Sequence, residues 1–475
     1  MNENKALKNK EILIYSFAAL GQGMIYTTMS SYLTDFYLNI LHLGPVFVLM
    51  LMLLSRVWDA INDPIMGIVV DKLNFKRGKY KSYILFMTIP IVILTTFLFV
   101  VPSFSKPESS NYSMTNTSIY VAFIYVFWGM LYTVVDVPFW SLPNVMTPFE
   151  KERGKLISIS RLLNGIGSAV PMGIVIILGY FNITYETRYL IMVMVSSICG
   201  GLLLISSYFG TKERVKAVVI EKSIKKEVKA LFKSKNMILV ILMGILACGR
   251  YMIQAAGIHV SRYTFYIQGM EVLPSQSTVQ TIISVCAAAG MFIAMMLTPI
   301  LIKKFTYRKL TMFFCVLGGL SSISAYFVGI YSDYNLYYLI PFLFLSSLPL
   351  GVLNVVGYAM IGDCLDEIEV NTKLRVAGLG SACQSFVNKL GNAFCTAIII
   401  IIYLVVGLNI GDIQGSSVVN PSLLSSETRN YMLSLVTYIP GLSMLVCLIP
   451  ILFYDLTGKK KELITKKLQE MRESN

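Results

Sequence analysis

The stretch Leu53-Leu-Ser-Arg56-Val-Trp58-Asp59-Ala-Ile-Asn62-Asp63-Pro64-Ile-Met-Gly67 decides how the chain is read. It continues an apolar run that begins near residue 45, yet it carries two carboxylates four residues apart, with Asn62 in the same turn. At helical spacing, residues i and i+4 stack on one face. An ionisable group inside a membrane helix costs roughly 2.5–3.5 kcal/mol, so such residues mark functional sites. Two carboxylates this close resist ionising together, so either a cation lies between them or one holds a proton. Both outcomes describe a coupling ion. Pro64 frees backbone carbonyls nearby, which adds hard oxygen ligands. A salt bridge to Arg56, or to a basic residue elsewhere, is the structural alternative.

Outward from this stretch, the whole chain reads as membrane protein. Of 475 residues, 55% are apolar and 14% charged, and the mean hydropathy is +0.67; a soluble domain carries about 25% charge. A helix crosses the hydrocarbon core with about 20 apolar residues. Such runs fall near 12–39, 45–70, 83–102, 118–146, 156–181, 189–209, 237–267, 277–302, 310–331, 337–362, 376–408 and 431–454. Only helices satisfy the backbone in lipid over runs like these. The expected fold class is therefore an all-α integral membrane protein with twelve transmembrane helices. The first run has no small-residue cleavage site and is expected to be retained, not removed as a signal peptide.

The basic residues set the orientation. With the N-terminus cytoplasmic, the inner segments hold 32 of the 40 Lys and Arg, and the outer loops hold only Lys106, Arg188 and Arg429. Both termini are expected in the cytoplasm of a multi-pass cell-membrane protein. The net charge of +14 is then a topology signal and not a nucleic-acid patch. The longest polar stretch between helices, 211–236, carries nine basic residues and divides the chain into six-helix bundles at 1–210 and 237–475, the second with a cytoplasmic tail. A basic turn after a second helix recurs, at Lys76-Arg77-Gly78-Lys79 and at Lys303-Lys304 with Arg308-Lys309. Repeated halves of this kind build secondary transporters, which bind substrate near the midplane.

The remaining chemistry narrows the class. Two His and eight scattered Cys have no metal-ligand spacing. No HExxH, GxSxG or Walker sequence lies near a helix end, which argues against an enzyme and against ATP-driven pumping. An ion gradient is left as the energy source, with no cofactor. Asp136 and Trp140, in Tyr132-Thr133-Val-Val-Asp136-Val-Pro-Phe-Trp140-Ser141, share a face; a carboxylate accepts from sugar hydroxyls while an aromatic plane covers the C–H face. Packing or an interfacial position is the alternative for Trp140. Arg161 and Lys389 are deep charges near helix centres, where snorkelling is hard. A cavity role or a pair with an acidic residue of the first half fits them.

The residues Trp58-Asp59-Ala-Ile-Asn62-Asp63-Pro64-Ile-Met-Gly67, Arg77-Gly78-Lys79-Tyr80-Lys81 and Asp136-Val-Pro-Phe-Trp140-Ser141 resemble the glycoside–pentoside–hexuronide:cation symporters, melibiose permease-like transporters of the major facilitator fold. The likeness runs along nearly the whole chain. It implies that Asp59 and Asp63, with Asn62 and Thr133, bind the cation, a sodium ion or a proton. It implies that Asp136, Trp140, Arg161 and Lys389 hold or line the sugar site. Asp363, Asp366, Glu369 and Arg375 match a charged cytoplasmic cluster after the tenth helix, a set of gating or packing charges.

Three positions depart from the melibiose permease. Gln22 and Gly23 replace an adjacent Lys-Asp pair, and Asn354 replaces a tenth-helix Trp; Gln22 and Asn354 are expected among the substrate-binding residues. The cation motif is intact and the sugar motif half intact. A less acidic site with Arg161 and Lys389 would accept a carboxylate or sulfonate, since Arg pairs with such groups bidentately, although a neutral sugar leads. The resemblance implies cation-coupled symport of a sugar, glycoside or hexuronide by alternating access, with a monomer as working unit. A sodium-coupled lysolipid or other amphiphile carrier of the same fold is the alternative.

Overall fold

The computed structural model describes residues 7–72, 78–106, 108–147, 149–181, 183–214, 230–372, 377–407 and 419–473. Among these residues every regular element is a helix. Twelve elements have the length to span a membrane: α1 Asn9–Asn39, α2 Pro45–Lys72, α3 Lys79–Phe97, α4 Met114–Ser141, α5 Glu150–Leu178, α6 Tyr185–Gly210, α7 Lys235–Tyr263, α8 Val272–Leu301, α9 Tyr307–Tyr331, α10 Leu336–Thr372, α11 Ala377–Val406 and α12 Ser426–Phe453. Eleven of them contain a stretch apolar enough to cross; in α2 the apolar part is Pro45–Ser55, ahead of Arg56 and Asp59. A polar helix, α13 Lys459–Glu473, follows.

Side chains define several helix starts. Ser113, Thr184, Ser234, Thr306 and Ser425 each accept a hydrogen bond from the backbone N–H three residues on. Each such cap contributes about 1 kcal/mol. α3 has no cap of its own, because Gly78 precedes it at φ +121°. The Glu213 carboxylate, just past α6, serves instead and accepts from Tyr80 N–H at 2.9 Å and Lys81 N–H at 3.0 Å. A negative charge there also suits the helix dipole. Next to it, Arg214 grips Glu11 of α1 through Nη2 at 2.8 and 2.9 Å, with both side chains largely buried.

The helices form two compact units, α1 to α6 and α7 to α13. In the first unit α1 packs along α5 and α6. The backbones touch: a Cβ on Gly167 would stand 2.0 Å from the Leu20 carbonyl oxygen, and one on Gly200 2.8 Å from that of Gly21. Small residues let membrane helices approach this closely, and the resulting van der Waals contact holds them together.

In the second unit α10 packs against α8 and α9. Here α7 tightens into a 3₁₀ turn at Ala247–Tyr251. α12 is itself interrupted between Ser434 and Tyr438. Ser443 of α12 bridges the break in α7, accepting from Gly249 N–H at 2.8 Å and donating to the Leu246 carbonyl at 2.5 Å. Irregular backbone survives at this depth only when such partners surround it.

The tenth helix corrects one expectation. It runs on to Thr372 instead of ending near 362, so Asp363, Asp366 and Glu369 lie on its last turns and not in a loop after it. The cause is packing: Cys364, Glu367 and Ile368 are buried. Asn236 Nδ2 of α7 donates to both Glu367 oxygens at 3.1 and 2.9 Å, and Lys460 and Lys461 of α13 reach Glu367 at 3.4 Å and Asp363 at 2.6 Å.

Candidate functional site

In the first unit the residues that sequence singled out are arranged around one helix, α4, which carries Thr133, Asp136 and Trp140. Asp59 of α2 approaches it at Gly129, where a Cβ would lie 3.6 Å from Asp59 Oδ1. Thr133, one turn further along α4, is buried and donates through Oγ1 to the Gly129 carbonyl at 3.2 Å. Asp59 and Thr133 both approach Gly129, the first through its carboxylate and the second through its hydroxyl. Three residues after Asp59, the Asn62 amide nitrogen is buried with no hydrogen-bond acceptor among the described residues. The side chains of Asp63 and Arg56 lie outside the described residues.

Asp136, one turn beyond Thr133, belongs to a second polar group. Its Oδ1 accepts from Gln22 Nε2 of α1 at 2.7 Å and from the Tyr132 hydroxyl at 3.4 Å, and Gln22 Nε2 also reaches that hydroxyl. Gln22 Oε1 in turn accepts from Asn164 Nδ2 of α5 at 2.5 Å, and Asn164 Nδ2 also donates to the Ala19 carbonyl at 2.9 Å. The Tyr132 ring stacks on Trp128 at 4.8 Å, and Trp128 Nε1 donates to Thr95 at 2.8 Å. Fixing each partner in this way sets where the carboxylate points. The replacement at Gly23 has a steric reason here: a Cβ would stand 2.3 Å from the Asn164 carbonyl oxygen.

Trp140, one turn past Asp136, is covered by Arg161 of α5, whose guanidinium carbon sits 3.7 Å from the ring centroid. A cation over an indole face is a favourable contact, stronger when desolvated. Trp140 also abuts Phe139 edge-on at 5.3 Å, and Phe139 stacks on Tyr15 at 4.8 Å. Sequence reasoning missed Asn164 and the role of Tyr132. The signals were present: Asn164 lies three residues after Arg161, and Tyr132 four before Asp136. It also missed Asp35, fully buried on α1, which accepts from the Tyr189 hydroxyl and from Asn39 Nδ2 at 2.8 Å.

Lys389 and Asn354 belong to the second unit, where both are half-buried, on α11 and α10. Beside Lys389, Asn388 Oδ1 accepts from the Tyr251 hydroxyl at 3.0 Å, and that hydroxyl accepts from Arg250 Nη2 at 2.9 Å. Arg250 is buried, with its guanidinium carbon 4.6 Å from the centroid of the Tyr251 ring.

The charged cluster at the end of α10 is joined by α13. Burial works against the charge on Lys461, but the hydrogen bond to Asp363, the attraction of its charge and the Tyr307 hydroxyl together outweigh it and hold the ammonium above its usual value. Asp455, between α12 and α13, feels a burial penalty that the Lys460 and Asn236 hydrogen bonds more than offset, so its carboxyl sits below the usual carboxylate value. Asp366 and Glu369 are half-buried on the same turns, and Arg375 lies outside the described residues. Glu367 and α13 were not singled out from sequence.

Residues 14–458 match the family of MFS/sugar transport proteins. The chain is similar to the glucuronide carrier protein homolog of Escherichia coli, 23% identical over 98% of this chain and 96% of that one. It is also similar to the putative glycoside/cation symporter YagG of the same organism, 30% identical over 44% of each chain. In three dimensions it resembles the nucleoside transporter NupG at a TM-score of 0.61 and 13% identity, covering 94% of this chain and 99% of that one.

Proposed function

The chain belongs to the MFS/sugar transport protein family, and from that premise we propose that it carries a sugar, glycoside or sugar acid across the cell membrane by alternating access, driven by a coupling cation. The observation that carries this reading is the order of groups along α4. Asp59 and Thr133 each approach Gly129, and Asp136, Gln22 and Tyr132 are hydrogen-bonded together one turn beyond Thr133. The first turn supplies hard oxygens for a sodium ion, or a carboxylate for a proton. The buried Asn62 amide supports it. Turned over, that amide presents a carbonyl oxygen, the atom a hard cation takes. Asp63 completes the set of carboxylates.

The second turn suits a polyhydroxylated ligand. Asp136 accepts from hydroxyls, Gln22 and Asn164 offer both donors and acceptors, and Trp140 with Arg161 forms a flat cationic wall. Such a wall would pair with a carboxylate as readily as it would cover a neutral ring, and similarity to a glucuronide carrier and to a glycoside/cation symporter supports both. Lys389 and Asn354 are assigned to the same substrate from the second unit. The protein works as a monomer, with both termini cytoplasmic.

Uptake into proteoliposomes tests this, using labelled neutral glycosides and hexuronates, with and without sodium and with imposed proton gradients. Accumulation of at least one sugar above its outside concentration, dependent on one of the two ions, is expected. Uptake of lysolipid alone, or accumulation that needs neither ion, refutes the reading.

A further inference from the structure

A cavity opens at the end of the second unit, where α8 turns into α9 and α12 runs into α13. It encloses about 540 Å³. Its lining includes Lys303, Lys304, Lys461 and Lys466, the hydroxyls of Thr306 and Thr465, and one carboxylate, Glu462. Lys461 is held in place by Asp363 at 2.6 Å and lies 4.1 Å over the Tyr307 ring. The other three lysines are exposed. The 25-residue helix α9 begins at this cavity, and its dipole adds positive potential.

The surface beside the cavity is apolar. Met296 and Ile300 stand exposed on one face of α8, one turn apart and immediately before Lys303. Phe305 is exposed at the rim, Phe313 on α9 and Leu463 on α13. α13 packs Ile464 into the core of the second unit, pairs Lys461 with Asp363, and leaves Lys466 and Lys467 exposed.

We propose that this cavity is a binding site for the phosphate headgroup of an anionic phospholipid, whose acyl chains run along the exposed Met296–Ile300 face of α8. A concave site with four lysines recognises a phosphate monoanion or diester. Basic pockets between transmembrane helices bind such headgroups. The apolar stripe leading out of it selects a lipid over a free phosphate, because a small ion has no use for Ile300 or Phe313. Bound there, the lipid ties α13 to the α8–α9 turn.

The test is lipid retention by the full-length protein, reconstituted in mixed phosphatidylglycerol and phosphatidylcholine nanodiscs and read by native mass spectrometry. Lys461 is left intact, so α13 keeps its ion pair with Asp363. In K303Q/K304Q, phosphatidylglycerol affinity is expected to fall about fivefold per lysine removed, the equivalent of ~1 kcal/mol each. Phosphatidylcholine retention and the melting temperature stay unchanged. I300S, which alters only the stripe, weakens lipid retention and leaves any effect of inorganic phosphate on melting untouched. Equal retention of phosphatidylglycerol by wild type and K303Q/K304Q overturns the proposal. So does stabilisation by inorganic phosphate alone, with no preference for phosphatidylglycerol over phosphatidylcholine.

Discussion

The two units solve the same architectural problem with opposite chemistry. Inside the first, the polar side chains on and around α4 centre on carboxylates: Asp59 by Gly129, and Asp136 held by Gln22 and Tyr132. Inside the second, the corresponding interior positions are cationic or neutral: Arg250 on Tyr251, Asn388 accepting from Tyr251, and Lys389 beside it. Among the described residues the carboxylates near mid-helix lie in the first unit, beside one guanidinium, Arg161 over Trp140. On the proposed reading the coupling cation then belongs to the first unit, and Lys389 of the second serves the substrate. The difference teaches that coupling and recognition need not be shared equally between repeats.

The comparison breaks most sharply at the carboxylates. Asp59→Cys or Asp63→Cys should abolish accumulation against a gradient, because a hard cation then lacks one anionic ligand where water is scarce. Both variants should still insert and melt normally. If either concentrates substrate as wild type does, the cation does not reside in the first unit.

Asp136→Ala should weaken substrate binding by roughly 10- to 100-fold, the size expected when polar partners in a buried site lose their acceptor. Gln22 Nε2 and the Tyr132 hydroxyl each lose this acceptor and, among the described residues, keep only the bond between them. Trp140→Ala should cost only several-fold, since ring stacking is worth about 0.5–1.5 kcal/mol. Titration of purified protein by calorimetry orders the two; an Asp136→Ala protein with unchanged affinity removes that residue from the site.

The smallest effect on transport is expected in the second unit and sharpens the contrast. Tyr251→Phe deletes the hydroxyl shared by Arg250 and Asn388 and should cost about 1–3 kcal/mol of stability, for one buried and one half-buried polar group left short of a partner. The ratio of uptake with and without the coupling ion should not change. A shifted ion dependence in this variant would place part of the coupling in the second unit.

Much of the fold was legible because lipid leaves the backbone no alternative to the helix, so each span declares itself as an apolar run. The deep charges were legible for the same reason: Asp59, Asp136 and Arg161 stand out against apolar neighbours. Neutral amides do not, which hid the Gln22–Asn164 bond that orients Asp136. The break in α7 was hidden too, since Ala247-Cys248-Gly249 is as apolar as the helix around it and its partner Ser443 lies 194 residues on from Gly249. The length of α10 depended on α13, a helix whose polarity made it look like a tail. Its acidic last turns became helical only because Lys460, Lys461 and Asn236 stood ready to meet them.

Thr133 and Asp136 sit three residues apart, so any tilt or rotation of α4 moves both. On the proposed reading, with the ion at Thr133 and the sugar at Asp136, two ligands read by one rigid rod cannot bind independently. Whatever free energy the ion contributes by fixing α4 is free energy the sugar no longer has to supply, and the reverse holds with the same magnitude. Titrating the sugar at several ion concentrations, and the ion at several sugar concentrations, must then return one and the same enhancement factor.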